Sequence, residues 1–348
     1  MRIKNISKKY KIIFLSNAIA GIASFQSNLI NYFSKNKINT ILIDSNYETI
    51  INLNSKLFNK FYRSNILKEF FKTFKILRKI NNIEKKKESI FIISNTTVHA
   101  LYFLMIKLFF RNSKFIVIYH SHIYSLNFLQ LSAGMISSML SLFSFYNIYV
   151  SEFTKKWWND YFPLTKLSNQ KVIYNYIEIQ KKIRKTNLKS LKIGFIGRFE
   201  EEKGINKFLK IANNLKNESF KFFVFGEGSI KIKKNQNKNI KIFKWTKKEF
   251  IYRKIDVLFV TSKIENCPLS VIEAKSYGIP TITVSKGGIK EIIRNRKDGL
   301  ILNKDASLKE IEDKLLNLKN NYNFFKKNCF ENSINFKLNN YRKFLNLF

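Results

Sequence analysis

Glu265 and Glu273 lie within Thr261-Ser-Lys-Ile-Glu265-Asn-Cys-Pro268-Leu-Ser-Val-Ile-Glu273-Ala-Lys-Ser-Tyr-Gly278-Ile-Pro280, the segment with the clearest chemical logic in the chain. The apolar run 257–260 reads as a buried strand that ends in a polar loop. Pro268 suits the first position of a helix, and Leu269–Tyr277 continues it until Gly278 and Pro280 stop it. A helix that starts at the carboxyl end of a strand offers free N–H groups to an anion, and a diphosphate suits them. Carboxylates beside a phosphate repel it unless they serve neutral donors, and sugar hydroxyls are such donors. Phosphate together with hydroxyl-bearing groups describes a nucleotide sugar.

A second segment, Ile193-Gly-Phe-Ile-Gly197-Arg198-Phe-Glu-Glu-Glu-Lys203-Gly204, ends a strand at Gly197 and presents Arg198 and Lys203. A guanidinium fork and an ammonium point charge suit a diphosphate leaving group. Surface pairing of the same two cations with Glu200–Glu202 is the plainer alternative. Phe225-Gly226-Glu227-Gly228 follows another strand, as a common turn does. Gly287-Gly288-Ile-Lys-Glu291 and Asp298-Gly299-Leu complete the glycine-bearing blocks of this half. In the first half, Gly21 follows the strand 12–15, and Tyr119-His120-Ser121-His122 follows a buried strand. His122 is equally well read as a structural residue, and His99 is read as one.

These blocks together resemble the retaining glycosyltransferases of family 4, whose E-x7-E motif is met by Glu265 and Glu273, with Ala274, Gly278 and Pro280 following. Asn266 stands where that family commonly has Gly. The resemblance implies a GT-B fold: two Rossmann-like, doubly wound parallel-sheet α/β domains facing across a cleft. It implies that Glu265 binds donor-sugar hydroxyls and that Glu273 binds the ribose. Backbone at Asn266, Cys267, Pro268, Leu269 and Ser270 would face the sugar and the β-phosphate. Arg198 and Lys203 would hold the diphosphate, and His120 would stand at the sugar's reacting face. Gly21 would lie in the loop that closes over the diphosphate, Gly226 and Gly228 in the G-x-G turn where the nucleoside packs, Gly197 among the donor-binding residues, and Gly287 and Gly288 where backbone approaches the donor. The implied reaction moves a hexose or N-acetylhexosamine, with retention, from a UDP-linked donor to a cell-surface glycan acceptor. Lipopolysaccharide, capsule and lipid-linked oligosaccharide are the acceptors considered. No metal and no further cofactor are expected, because leaving-group charge is met by Arg198, Lys203 and the helix at Pro268.

Positioning such loops needs parallel sheets. Strand candidates are 12–15, 40–43, 90–93, 115–119, 148–150 and 171–173, then 191–196, 221–225, 240–243, 257–260, 281–284 and 300–302. Short apolar strands separated by helical stretches form strand–helix–strand units. Two series imply domains 1–177, on the acceptor side, and 190–328, on the donor side, joined by a Lys/Asn/Thr-rich stretch. Residues 329–348 are expected to form a helix returning to the first domain. Nine of the eleven glycines fall between Gly194 and Gly299, which places the main ligand loops in the second half.

Composition sets the outer limits. The chain has 348 residues, enough to bury a full core without disulfides. Two cysteines and three histidines exclude a disulfide scaffold and a Cys-based zinc site. The net charge is +39, spread over both halves, and Lys outnumbers Arg 53 to 10. Base readout favours Arg, so an anionic membrane surface fits better than nucleic acid, and no nucleic-acid partner is expected. Residues 65–80 read as a basic amphipathic helix with Lys68, Lys72, Lys75 and Lys79 on one face: either a solvated surface or a helix on anionic lipid. Residues 115–151 carry no charge. They read as strand, polar loop, buried helix over about 126–143, and strand, with a membrane span as the alternative. The N-terminal apolar run is shorter than a secretion signal requires. The expected location is cytoplasmic, peripheral on the inner face of the cytoplasmic membrane. A nucleotide-sugar epimerase on the same scaffold and a nucleic-acid-binding protein are the rival functions.

Overall fold

A computed structural model describes residues 10–16, 21–35, 40–44, 50–52, 88–94, 113–123, 127–175, 188–215, 217–232 and 237–347. Two compact units emerge: residues 1–175 together with 340–348, and residues 176–339. The expected helix over 65–80, His99 and most of the expected joint lie outside the described residues.

The first unit holds a seven-stranded sheet: β1 Tyr10–Ser16, β2 Thr40–Asp44, β3 Ile50–Asn52, β4 Glu88–Ser94, β5 Lys114–Tyr119, β6 Tyr146–Tyr149 and β7 Gln170–Val172. Their order is β3-β2-β1-β4-β5-β6-β7. Every pairing is parallel except β2 with β3, where Leu42 faces Ile51 in antiparallel register. The expectation of a wholly parallel sheet is corrected at this edge: β3 is only three residues long, too short to announce itself by periodicity. Phe91 stacks on Phe115 at 5.6 Å and Tyr119 on Tyr149 at 4.7 Å, so the central strands are buried aromatic rows.

The Phe128–Ser141 helix lies within the region expected to be a buried helix, and here the structure differs. Its inward face is Gly134, Ser137, Ser138 and Ser141, whereas Phe128, Met135, Ile136 and Met139 are exposed. A charge-free sequence suggests burial, but apart from Leu131, which packs on the core, small residues take the inner positions and most of the large ones lie outside. Among the described residues no helix is long and apolar enough to cross a membrane.

The second unit holds a six-stranded, all-parallel sheet: β8 Leu191–Ile196, β9 Phe220–Phe225, β10 Ile240–Phe243, β11 Val257–Val260, β12 Thr281–Thr283 and β13 Gly299–Ile301. The order is β10-β9-β8-β11-β12-β13. The chain therefore winds outward from β8 to β10, then returns to β11 on the other side of β8. The Ile205–Asn214 helix buries Ile205, Phe208, Ile211 and Ala212, which recur at helical spacing. Phe208 meets Phe195, Phe222 and Phe259 with ring centroids 5.5–6.2 Å apart, so one side chain ties helix to sheet. The Leu308–Asn320 helix starts at Ser307, whose hydroxyl accepts from the Glu310 N–H at 3.1 Å. A final helix runs Tyr322–Leu345. Its last residues group with the first unit, where Asn340 Oδ1 accepts from the Tyr174 N–H and Phe344 meets Phe33.

Candidate active site

Lys203 and Glu265 meet at the carboxyl edge of the second sheet. Lys203 Nζ donates to Glu265 Oε1 at 2.8 Å, and Ser262 Oγ donates to the same oxygen at 2.7 Å. Lys203 follows β8 and Glu265 follows β11, so the pair stands where the winding direction reverses. In open parallel sheets that crevice is the usual ligand position. Both side chains are largely shielded from water, with 24% and 12% exposure.

Backbone stitching fixes the three loops around this pair. The Lys263 N–H donates to Glu202 O, Glu265 N–H to Lys286 O, and Ile289 N–H to Glu265 O, at 3.0–3.2 Å. Thr261 Oγ1 donates to Gly204 O, and Ser285 Oγ to Ser262 O. Gly204 is required here: its φ is +71°, and a Cβ would fall 2.1 Å from Thr261 O. Loops tied by main chain hold their side chains within tight limits, as orientation of a reacting group demands.

Arg198 sits in the same β8 loop but bonds Glu202 Oε1 at 2.5 Å. The plainer pairing considered for Arg198 is thus what the structure shows, while the Lys203 ammonium reaches Glu265, 62 residues away. Both members of the Arg198–Glu202 pair are exposed at about half, so water screens it and its partner is easily exchanged. Gly226 and Gly228 have a different reason for being glycine. A Cβ on Gly226 would fall 1.9 Å from Gly197 O, and one on Gly228 2.6 Å from Phe199 N and O. They let the β9 loop close on the β8 loop, where Phe199 N–H donates to Glu227 O and Gly197 N–H to Phe225 O. The close approach at these two glycines is to protein backbone. Gly197 itself has room for a Cβ, with Phe195 no nearer than 3.4 Å.

The helix after β11 spans Leu269–Ser276, with Pro268 as its N-cap, so it begins one residue later than the expected start at Pro268. The shift leaves Leu269 and Ser270 as the first N–H groups, which an intrahelical carbonyl cannot satisfy. Asn266 and Cys267 are each 5% exposed, so their side chains face inward. Glu273 is held from two sides: Tyr252 Oη donates to Oε2 at 2.7 Å, and Lys248 Nζ to Oε1 at 2.5 Å. Burial and the neighbouring Glu273 push the Tyr252 phenol's pKa well up, so it stays a donor. Ser262, Lys248 and Tyr252 escaped sequence reasoning. Ser262 lay three residues before Glu265, within the same block, and carried a local signal. Lys248 and Tyr252 lie on a helix 25 and 21 residues away and carried none.

Asp298, of the Asp298-Gly299-Leu block, is fully buried and gathers Lys275 Nζ at 3.0 Å, Arg294 Nε at 2.8 Å and Asn332 Nδ2 at 2.6 Å. A Cβ on Gly299 would fall 2.3 Å from Thr281 O. These two residues are therefore structural. Burial lowers the Lys275 pKa while Asp298 opposes the shift.

In the first unit, Gly21 opens the Gly21–Lys35 helix after β1, and His120 follows β5. Phe25 of that helix meets the His120 ring edge-on at 5.1 Å. Burial depresses the His120 pKa to about 3, so the ring is neutral at physiological pH. His122 is buried between Phe153 and Trp157, an aromatic setting that suits a packing role. Among the described residues no three His, Cys, Asp or Glu side chains gather where they could hold a metal ion.

Residues 177–334, nearly all of the second unit, match the family described as glycosyl transferases group 1. The chain spans less than half the length of the curated relatives it matches first. One of these is the amylovoran biosynthesis glycosyltransferase AmsD of Erwinia amylovora, 32% identical over 116 residues, which are 31% of this chain and 32% of that protein. Across the whole fold, the sucrose-phosphate synthase of Thermosynechococcus elongatus superposes with a TM-score of 0.76 at 13% identity, covering 97% of this chain and 99% of that one. The Anabaena protein HepE, solved with UDP, superposes with a TM-score of 0.67 at 11% identity, covering 97% and 99%. The architecture is that of GT-B glycosyltransferases: two α/β domains, each built on a helix-flanked, essentially parallel sheet.

Proposed function

We propose that this chain is a glycosyltransferase of the retaining kind. It would move a hexose or N-acetylhexosamine from a UDP-linked donor to a glycan acceptor of a cell-surface polysaccharide. The Lys203–Glu265 pair at the winding reversal carries this reading, because it sets a cation for phosphate beside an acceptor of hydroxyl bonds. The match to group 1 glycosyl transferases, the name of AmsD and the UDP held by HepE support the donor class and the polysaccharide setting.

In this reaction the bond from the anomeric carbon to the β-phosphate oxygen breaks, and UDP departs with the electron pair. The acceptor hydroxyl forms the new bond on the same face, and its proton passes to the departing phosphate oxygen. Lys203, Arg198 and the first N–H groups of the Leu269–Ser276 helix would neutralise the charge that develops there. Glu265 would orient sugar hydroxyls and Glu273 the ribose. His120, neutral, would offer the sugar a hydrogen bond without adding charge. The chemistry needs no metal, and chelation with EDTA is expected to leave turnover intact. A membrane-held acceptor and a place on the inner face of the cytoplasmic membrane belong to the same proposal, motivated by the +39 charge.

The test is a thermal-shift panel of nucleotide sugars followed by a donor-hydrolysis and transfer assay. A UDP-sugar should raise the melting temperature and be consumed faster when an acceptor glycan is added. A product formed without acceptor, with sugar still on UDP, would instead identify an epimerase. No shift with any nucleotide sugar would defeat the proposal.

A further inference from the structure

We propose that the outward face of the Phe128–Ser141 helix, continued by residues 161–167, docks on an anionic lipid bilayer. This deepens the reading of a membrane-held acceptor and rests on it for its purpose, while the surface itself is argued without reference to sugar transfer. An ordinary surface helix turns its apolar stripe to the core and its polar side chains to water. This one departs from that pattern: Leu131 alone among its described large apolar side chains packs on the aromatic cluster of Tyr119, Tyr149, Trp158 and Phe162. Gly134, Ser137, Ser138 and Ser141, at helical spacing, face the protein. The hydroxyls turn to internal partners: Ser141 Oγ donates to Ser138 O at 2.6 Å, and Ser144 Oγ to Ser141 O at 2.7 Å. Gly134 fits against the Phe162 ring, which a Cβ there would strike. On the other side Phe128 is 83% exposed, Met135 61%, Met139 56% and Phe143 65%. A face of this kind is out of place in water and suits an interfacial apolar layer.

Beside the helix, the turn Pro163–Leu167 follows Phe162 and adds exposed Leu164 and Leu167, with exposed Tyr161 just before it. Charge selects the occupant. Residues 115–151 contain no charged side chain, and the cations around them are lysines. Lys114 Nζ lies 4.9 Å over the partly exposed Phe145 ring, Lys171 Nζ lies 6.0 Å over Tyr146, and exposed Lys166 stands between Leu164 and Leu167. From 113 to 175 only Glu152 and Asp160 are acidic. An apolar centre rimmed by lysines fits lipid tails beneath anionic headgroups, with the lysine stems reaching outward. A second copy of a chain of charge +39 would meet it with like charge.

The experiment is flotation of the purified full chain with vesicles of phosphatidylcholine containing about one-third phosphatidylglycerol. The wild type should float with these vesicles, far less with phosphatidylcholine alone, and a fraction should stay bound at high salt. The combined variant Phe128→Ser, Met135→Ser, Met139→Ser and Phe143→Ser changes only exposed positions and should bind about tenfold more weakly or worse. Its circular dichroism and donor hydrolysis should match the wild type. In a separate Met139→Trp variant, the added indole's emission should shift to the blue on vesicles and be quenched by brominated lipid tails. Equal flotation of the serine variant, or an unshifted indole, overturns the proposal. So does a wild-type dimer that the serine variant dissolves and that never floats. Flotation without any sugar chemistry would leave this surface standing and defeat the proposed function alone.

Discussion

The carboxyl edges of the two sheets are built from different materials. In the second unit the edge is polar and tied: glycines bring loop against loop, main chain stitches three loops together, and Lys203, Glu265, Lys248 and Glu273 are paired in place. In the first unit the described edge is aromatic. His120 leans on Phe25, and His122 lies between Phe153 and Trp157. The difference teaches that charged recognition and neutral surroundings can be divided between two copies of one architecture. A diphosphate needs fixed cations, whereas a neutral reacting face needs groups that add no charge.

The contrast is broken most forcefully at its foundation. Asp298→Ala leaves Lys275 and Arg294 beside an emptied buried site and should cost about 3–5 kcal/mol, read by urea denaturation of the purified protein. An effect below about 1 kcal/mol would mean that this buried network, which sits at the opposite, amino edge of the second sheet, contributes little to its stability. Next, Lys203→Ala should lower kcat about 10²–10³-fold while circular dichroism is unchanged, if the cation acts on the leaving group. An equal loss confined to KM would move Lys203 to ground-state binding. Tyr252→Phe removes one donor from Glu273 and should raise KM for the donor about tenfold with kcat less affected. Removal of the donor base or ribose from the assay substrate should erase that difference.

The first unit is tested by pH. The folded His120 pKa, about 3, lies below the unfolded value near 6.5, so between these the unfolded chain binds the extra proton. Stability from this group is complete above pH 6.5 and is lost as pH falls towards 3, at up to about 1.4 kcal/mol per pH unit. Melting curves of wild type and His120→Asn over that window should converge as pH falls. Parallel curves would show that the imidazole is not held neutral.

Much of this was legible before any coordinates. Strand 191–196 and strand 240–243 are seen with their expected bounds, because a short buried run between polar loops has few other fates. Lys203 and Glu265 were nominated by residue type and strand position, and they touch. What was not legible depended on partners remote in sequence. Strand β3 exists because β2 offers it an edge. The Phe128–Ser141 helix was read as buried because a charge-free run normally is, and its periodicity alone does not say which of two faces meets the sheet. The turn at Gly226 and Gly228 is legible from its two glycines, but the reason for them, a neighbouring β8 loop that a Cβ would strike, is not.

The Lys203–Glu265 contact has a consequence for the resting protein. Cation and anion already neutralise each other, so the crevice stands ready without exposing a bare charge to salt or stray metabolites. In the proposed reaction a donor arriving there would swap one set of partners for another: its phosphate would take the ammonium, and its hydroxyls the carboxylate. Under that proposal the free and donor-bound states would lie close in energy, the condition under which a substrate can be gripped, used and let go repeatedly.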